Sequence, residues 1–281
     1  MIYLFLLKTL FAASPDTSYA DRSLEETLFL LQEQKEKHKD ASIGIQMKEL
    51  SSIFLGAEYI VDANGEEKEP DLDPLVRYDA FDCLTFVEEV LALSLASSKE
   101  EVSEIRKELR YSGKEIDYAN RNHFMISQWL PNAIEKGYLK DITHEIGETH
   151  FVSKEITRQI WSRWRGRWKY PFALSQYPTG IYSFGVLSLD SAISNIESIP
   201  DGALIVVLRQ NHSYNPIMIT HLGFVVRHSE KDVRIRHATK MSGGMVKDHY
   251  LSWYLDYIRY FDKWPVEGVL VLAPQKPESE P

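Results

Sequence analysis

Three apolar, β-rich runs follow one another late in the chain. They are ALIVVLR (203–209), ITHLGFVVR (219–227) and DVRIRHAT (232–239), with turn residues between them, and VEGVLVLAP (266–274) adds a fourth. Strands placed next to one another in sequence, with no helix-length segment between them, pair as an antiparallel sheet. Everything before residue 200 has a different texture, with apolar residues at helical spacing. Helices first and consecutive strands later specify an α+β fold, with the helices gathered against an antiparallel sheet.

The helical part divides at its caps and breakers. Residues 23–40 form a helix capped by Ser23, with Glu26 three positions on as in a capping box. A second helix covers 43–56 and is stopped by Gly56, and the polar, turn-rich stretch 62–74 is a loop. Residues 82–97 carry Leu84, Val87, Leu91 and Leu95 on one stripe, which predicts a helix with one buried face. A separate surface helix is expected over 98–110, and a helix broken near Pro131 over 118–137. Residues 154–168 read as helical and then irregular, and 188–198 as a short helix. No internal repeat is visible. The expected organisation is one domain over 21–275 and a flexible tail over 276–281.

The chain has 281 residues and a net charge of −9, so it lacks the basic footprint of a nucleic-acid-binding protein. The apolar run from Ile2 to Ala13 is too short to span a bilayer and has the size of a signal-peptide core. Ser18-Tyr19-Ala20 offers a small-residue cleavage site, although no positive residue precedes the run. Residues 1–20 are thus a candidate signal peptide and the mature protein is expected to be exported, to a periplasm. An ordinary apolar N-terminal segment of a cytoplasmic protein is the alternative. No other stretch reads as a membrane span. Oligomeric state is not readable from the sequence.

One cysteine excludes an intramolecular disulfide. That residue, Cys83, follows Asp82 and opens a helix. Asp82 can cap the helix, and the helix's free N–H groups and dipole favour a thiolate at its first turn, so a depressed Cys83 pKa is expected. The same N–H groups could stabilise an oxyanion. From its position alone, a lone cysteine reads more readily as a small, inert buried residue. A nucleophilic cysteine needs a base and an orienter. His221 begins one strand and His237 ends the next, sixteen residues apart. Pairing about a turn centred on 229 brings them opposite each other on one face, beside the Cys83 helix. Strand-end histidines are also common surface residues.

Taken together, FDCLTFVEEV (81–90), THLGFVV (220–226) and RHAT (236–239) resemble the cysteine and paired-histidine boxes of the NlpC/P60 cysteine peptidases. FLGAEYI (54–60), RNHFMISQWLPNAIEKG (121–137) and DGALIVV (201–207) are similar to one branch, the DUF1460, N-acetylmuramoyl-L-alanine amidase-like proteins. The resemblance covers roughly residues 45–273. It implies a papain-like fold with the cysteine at a helix N-terminus packed on the antiparallel sheet, and no cofactor. It implies Cys83 as nucleophile, His221 as general base and His237 as the group that fixes the His221 tautomer. Tyr59 then lies near the thiol and can help hold an oxyanion, with Asp82 beside it. Arg121 and His123 fall in a further box of the branch. Arg121 can pair with a carboxylate of substrate or scaffold, or form a helix–helix ion pair. The implied substrate is peptidoglycan or a muropeptide, cut at the amide between N-acetylmuramic acid and L-alanine. Cleavage of a γ-D-glutamyl–diamino acid bond, acyl transfer or deamidation, and cell-wall binding without catalysis are the alternatives. Two positions depart from the pattern. Asp201-Gly202 replaces the usual Gly-Asp before the strand at 203, and Leu222 replaces a valine.

Two other motifs carry weaker signals. HEIGETH (144–150) lacks the spacing of a His-Glu-x-x-His zinc helix, so no metal site is expected. WSRWRGRW (161–168) could line a glycan groove, but reads better as tryptophans packing the edge of the core under arginine stems.

Overall fold

The computed structural model describes residues 19–113 and 115–277; most of the candidate signal segment and the last four residues of the tail lie outside the described residues. Near the tail, the Gln275 N–H donates to the Tyr138 carbonyl and Lys276 reaches Ser97.

The chain opens with α1 (Leu24–Lys37) and α2 (Ile43–Ser52), then two short strands, β1 (Glu58–Tyr59) and β2 (Ala80–Phe81). The expected capping box is present: Ser23 accepts from the Glu26 N–H and Glu26 accepts from the Ser23 N–H. Next come α3 (Cys83–Leu95), α4 (Lys99–Arg110), a π-helical turn (Met125–Trp129) that runs into α5 (Leu130–Glu135), β3 (Leu139–Asp141) and α6 (Thr143–Ile146). A long hairpin, β4 (Thr149–Ile156) and β5 (Gly180–Leu187), encloses α7 (Arg158–Arg163) and two 3₁₀ turns. After α8 (Leu189–Ser194) the strands β6 (Leu204–Arg209), β7 (Ile219–Arg227), β8 (Val233–Thr239) and β9 (Met245–Tyr250) are consecutive, followed by α9 (Leu251–Arg259) and β10 (Val266–Pro274).

Among the described residues, ten strands join one sheet in the order β2-β1-β9-β8-β7-β6-β10-β5-β4, with β3 also on β10, and β1–β2 is the one parallel pair. The fold is α+β, as expected. Both faces of the central strands are covered, which is why they read as unbroken apolar runs. On β6, Leu204, Val206 and Leu208 belong to the core under α2, α3 and α5, whereas Ile205 and Val207 belong to the core under α6, α8 and α9. On β7, Leu222, Phe224 and Val226 face α3, and Val225 faces α9.

The separate helix expected over 98–110 is α4, exposed on one side and tied to α3 on the other. Its Arg106 forms a two-pronged bond to Glu89 of α3 (2.6 and 2.8 Å), and Arg110 bonds Glu88 (3.0 Å), all four side chains being buried. Glu88 flanks the apolar stripe and Glu89 lies on the side of α3 away from it, so α3 is buried nearly all round. Two expectations are corrected. Residues 118–124 are not helical, and Pro131 lies in the first turn of α5, where its missing N–H is harmless. Residues 154–156 finish strand β4, and helix starts only at Arg158, capped by Thr157.

The Asp201-Gly202 departure has a local reason. Gly202 has φ +81°, which favours glycine, and the Asp201 side chain accepts from the Arg227 N–H (3.0 Å). The turn is thereby pinned to the end of β7.

Candidate active site

Cys83 is the first residue of α3, as its sequence neighbours require. Asp82 is extended and its carboxylate accepts from the N–H groups of Leu84 (2.9 Å) and Thr85 (2.8 Å), while Thr85 returns a bond to the Asp82 N–H (3.0 Å). Cys83 as a residue is 9% exposed. Burial pushes its pKa up to about 12, and the Asp82 carboxylate adds to the rise. The N–H groups of Leu222, Cys83 and Leu84 act in the opposite direction and are outweighed. The expected depressed thiol pKa is therefore reversed: desolvation and the capping carboxylate exceed the helix-terminus effect. The resting group is a neutral thiol.

His221 and His237 share one face, but in a different register from the one expected. Phe224 pairs with Arg236 and Arg227 with Val233, so the hairpin is centred one residue later than 229. His237 then falls opposite Gly223, and His221 is its diagonal neighbour. That relation is still within reach of ring side chains. Nε2 of His221 and Nδ1 of His237 are 2.8 Å apart. Alternation places both rings on the α9 side, against Tyr254, with centroids 6.0 and 5.0 Å from it. The body of α3 packs on the opposite face, but Cys83 at its start lies by the same tyrosine as the two rings, the Tyr254 hydroxyl pKa being raised by burial and then by Cys83. α3 packs on Leu222 and Phe224, with Phe86 stacked on Phe224 (5.6 Å). The thiol meets this strand at the Leu222 N–H, one residue beyond His221.

Burial lowers the His221 pKa to about 4, with Arg209 contributing. His237 is lowered well below its usual value by burial first, then by its histidine neighbours and Lys247. Both rings are neutral at neutral pH, so each has one N–H donor and one acceptor nitrogen. Since the His221 Nε2 is engaged by His237, its Nδ1 is the nitrogen left for other work.

The chain of rings does not stop at His237. Its Nε2 lies 2.8 Å from Nδ1 of His249 on β9, whose ring is tilted against Trp253 of α9 (5.1 Å). His249 was missed in the sequence because MVKDHY is too polar to stand out as a strand. Tyr59 is on β1, beside the Cys83 end of α3. It pairs with Phe81 at the entrance to α3, and its hydroxyl pKa is raised by burial, then by the charges of Cys83 and Asp82, so it remains a donor.

A model of the AmiA-like family, described as N-acetylmuramoyl-L-alanine amidase-like, matches residues 49–261. The chain belongs to the AmiA-like family. It is also similar to the crystal structure of a DUF1460 protein from Legionella pneumophila, with 25% identity, a TM-score of 0.76, and coverage of 90% of this chain and 96% of that one. An N-acetylmuramoyl-L-alanine amidase from Bacteroides uniformis shares the fold at 21% identity, with a TM-score of 0.66 and coverage of 83% and 99%. Comparison with curated proteins gives no match.

In this AmiA-like chain, the remaining site residues are held by the scaffold. Arg121 pairs with Asp71 (2.6 Å) and more loosely with Asp62 (3.5 Å), both from the 62–74 loop. It closes that loop against the body and is not a helix–helix pair. His123 lies 2.7 Å from the Tyr118 carbonyl and among the rings of Tyr118, Tyr170 and Phe172. Burial lowers its pKa to about 4, so it is a neutral donor to that carbonyl. The tryptophans divide: Trp161 is wholly buried against Phe124 and Tyr177, whereas Trp168 is exposed with Arg167 over its ring (4.2 Å). His144 is exposed on α6 and His150 bonds Glu267 (2.8 Å). Among the described residues no group of three or more His, Cys, Asp or Glu is arranged to hold a metal, and no helix is long and apolar enough to cross a membrane.

Proposed function

We propose that this protein hydrolyses an amide of peptidoglycan or its fragments, the bond between N-acetylmuramic acid and L-alanine, with Cys83 as nucleophile. The observation that carries the reading is the meeting of a helix-N-terminal thiol with the strand that holds His221, whose ring is fixed by His237 at 2.8 Å. Membership of the AmiA-like family supports the substrate class.

In this reading Sγ attacks the carbonyl carbon as its proton passes to Nδ1 of His221. Because the resting thiol and ring are both neutral, the proton leaves during attack rather than before it. The reading requires the thiol and the His221 ring to be within bonding range in the substrate complex, where catalytic contacts commonly tighten. The oxyanion is met by the Cys83 N–H, since Asp82 holds those of Leu84 and Thr85, and by the Tyr59 hydroxyl. The C–N bond breaks, the amine takes the proton from His221, and a thioester remains on Cys83. Water then attacks the thioester while giving a proton to His221. Sγ leaves, recovers that proton, and a free carboxylic acid is released. General acid–base help of this type is worth about 10²–10⁴-fold.

The test is mass spectrometry of products from purified muropeptides, using wild type and Cys83→Ser. Release of a stem peptide beginning with L-alanine, by wild type alone, is expected. Cleavage after D-glutamate would keep the mechanism and move the bond. Equal turnover by Cys83→Ser would overturn the cysteine mechanism. Binding without turnover by wild type would favour a non-catalytic wall-binding protein.

A further inference from the structure

The proposed triad accounts for His221 and His237 but not for the ring beyond them. His221, His237 and His249 lie on three neighbouring strands, β7, β8 and β9, on the same face of the sheet. Each is the diagonal partner of the next: His237 pairs directly with Lys247, and His249 with Ile235. The two ring–ring bonds are both 2.8 Å and both run from an Nε2 to an Nδ1.

That repeated polarity has a chemical consequence. A neutral imidazole has one N–H, so fixing one ring fixes all three. If His249 accepts at Nδ1, His237 must donate from Nε2 and can then accept at Nδ1. His221 must donate from Nε2, which leaves its Nδ1 as a free lone pair, the state a general base needs. If His249 instead donates from Nδ1, every bond reverses and His221 carries its proton on Nδ1. The terminal ring therefore selects the state of the first. His249 is half-buried, with Trp253 and Tyr254 of α9 near it or its partner, and Lys247 and Asp248 as the charged groups that perturb it. Burial is the main cause that lowers its pKa, so the chain ends on a neutral ring rather than on an imidazolium.

We infer that His249 is a positioning residue for the proposed reaction. It accepts the His237 Nε2–H at Nδ1 and so holds the three-ring chain in the tautomer that makes Nδ1 of His221 a base. This rests on the proposed cysteine mechanism but adds a residue to it.

The experiment compares His249→Phe and His249→Asn with wild type on muropeptides. Phenylalanine keeps a ring against Trp253 but has no acceptor. Asparagine places an oxygen close to the Nδ1 position and keeps the acceptor. His249→Phe is expected to lower kcat about 10–100-fold, the range for outer partners of functional histidines, with KM within about twofold. His249→Asn is expected to recover to within about threefold of wild type. A fully active His249→Phe overturns the proposal, as does an Asn variant that loses as much as Phe. Should the variants fold poorly, ¹⁵N spectra of histidine-labelled wild type decide: an unprotonated Nδ1 on His249 supports the assignment and a protonated Nδ1 refutes it. The Cys83→Ser control separates the two levels. If it retains turnover, the proposed mechanism fails; if it is inactive while His249→Phe is fully active, only the role of His249 fails.

Discussion

Gly223→Ala tests the geometry on which the site depends. Gly223 sits opposite His237, and a Cβ there would lie 2.7 Å from the His237 Cβ, 2.8 Å from the Arg236 carbonyl oxygen and 3.0 Å from Ile235. Ordinary contact starts at 3.4 Å, so the shortfall toward His237 is about 0.7 Å. Two of the three obstacles are a backbone oxygen and a Cβ, which cannot swing aside, so β7 and β8 must part. Overpacking of this kind costs about 1–3 kcal/mol. Loss of glycine freedom in the unfolded chain offsets about 0.4–1 kcal/mol of that, which leaves a modest net destabilisation. The functional effect is larger. A parting of that size carries the His221–His237 bond from 2.8 Å to about 3.5 Å, outside hydrogen-bonding range. A misplacement approaching 1 Å in a catalytic array is worth about 100-fold. Gly223→Ala should therefore unfold in urea at a somewhat lower midpoint with unchanged slope, while its kcat/KM on muropeptides falls by about two orders of magnitude. A variant within twofold of wild-type activity would refute the claim that a side-chain-free position opposite His237 is what lets the two rings meet.

Asp82→Asn should keep the helix cap, because asparagine caps as well as aspartate, while removing the charge that raises the Cys83 pKa; iodoacetamide should then modify Cys83 faster at pH 8 with little change in stability. Unchanged alkylation would show that the carboxylate has no hold on the thiol. Arg106→Met leaves Glu89 buried without its partner and should cost about 3–5 kcal/mol in urea denaturation, whereas Arg106→Met combined with Glu89→Leu should recover most of it. A double variant no more stable than the single one would contradict this. In the proposed mechanism the neutral ring of His221 is the active form, and its pKa is lowered to about 4, so kcat/KM should hold between pH 6.5 and 5 and fall only as pH drops toward 4. An acid limb centred at pH 6.5 would mean that His221 is neither buried nor the base.

The sequence carried the face of the histidines more securely than their register, and the reason is the two-residue period of a strand. A slip that moves the pairing by two residues changes every partner and leaves every face unchanged. Whether the hairpin turns at 229 or one residue later, His221 and His237 therefore stay on one side of the sheet, but only the observed register sets Gly223 opposite His237 and makes His221 a diagonal neighbour. What sits on the other side of that face was not legible. The α9 helix and β9 lie beyond a Gly-Gly turn, and β9 has the polar sequence MVKDHY, whose burial comes from its neighbours rather than from its own residues. Helix α3 was legible for the opposite reason: Asp82 and Thr85 cap it locally whatever packs around it. The burial of Glu88 and Glu89 was not legible, because α4 supplies an arginine to each and ion pairs between segments leave no periodic trace in either one. The Cys83 pKa failed in the same way. The helix terminus that favours a thiolate is local and visible in the sequence, whereas the desolvation that overrides it comes from the sheet and the surrounding core. Local chemistry could thus be read directly, and what remained hidden was set by contacts between segments distant in the chain. On this argument His249 belongs with the hidden contacts, since its partner lies twelve residues away on another strand.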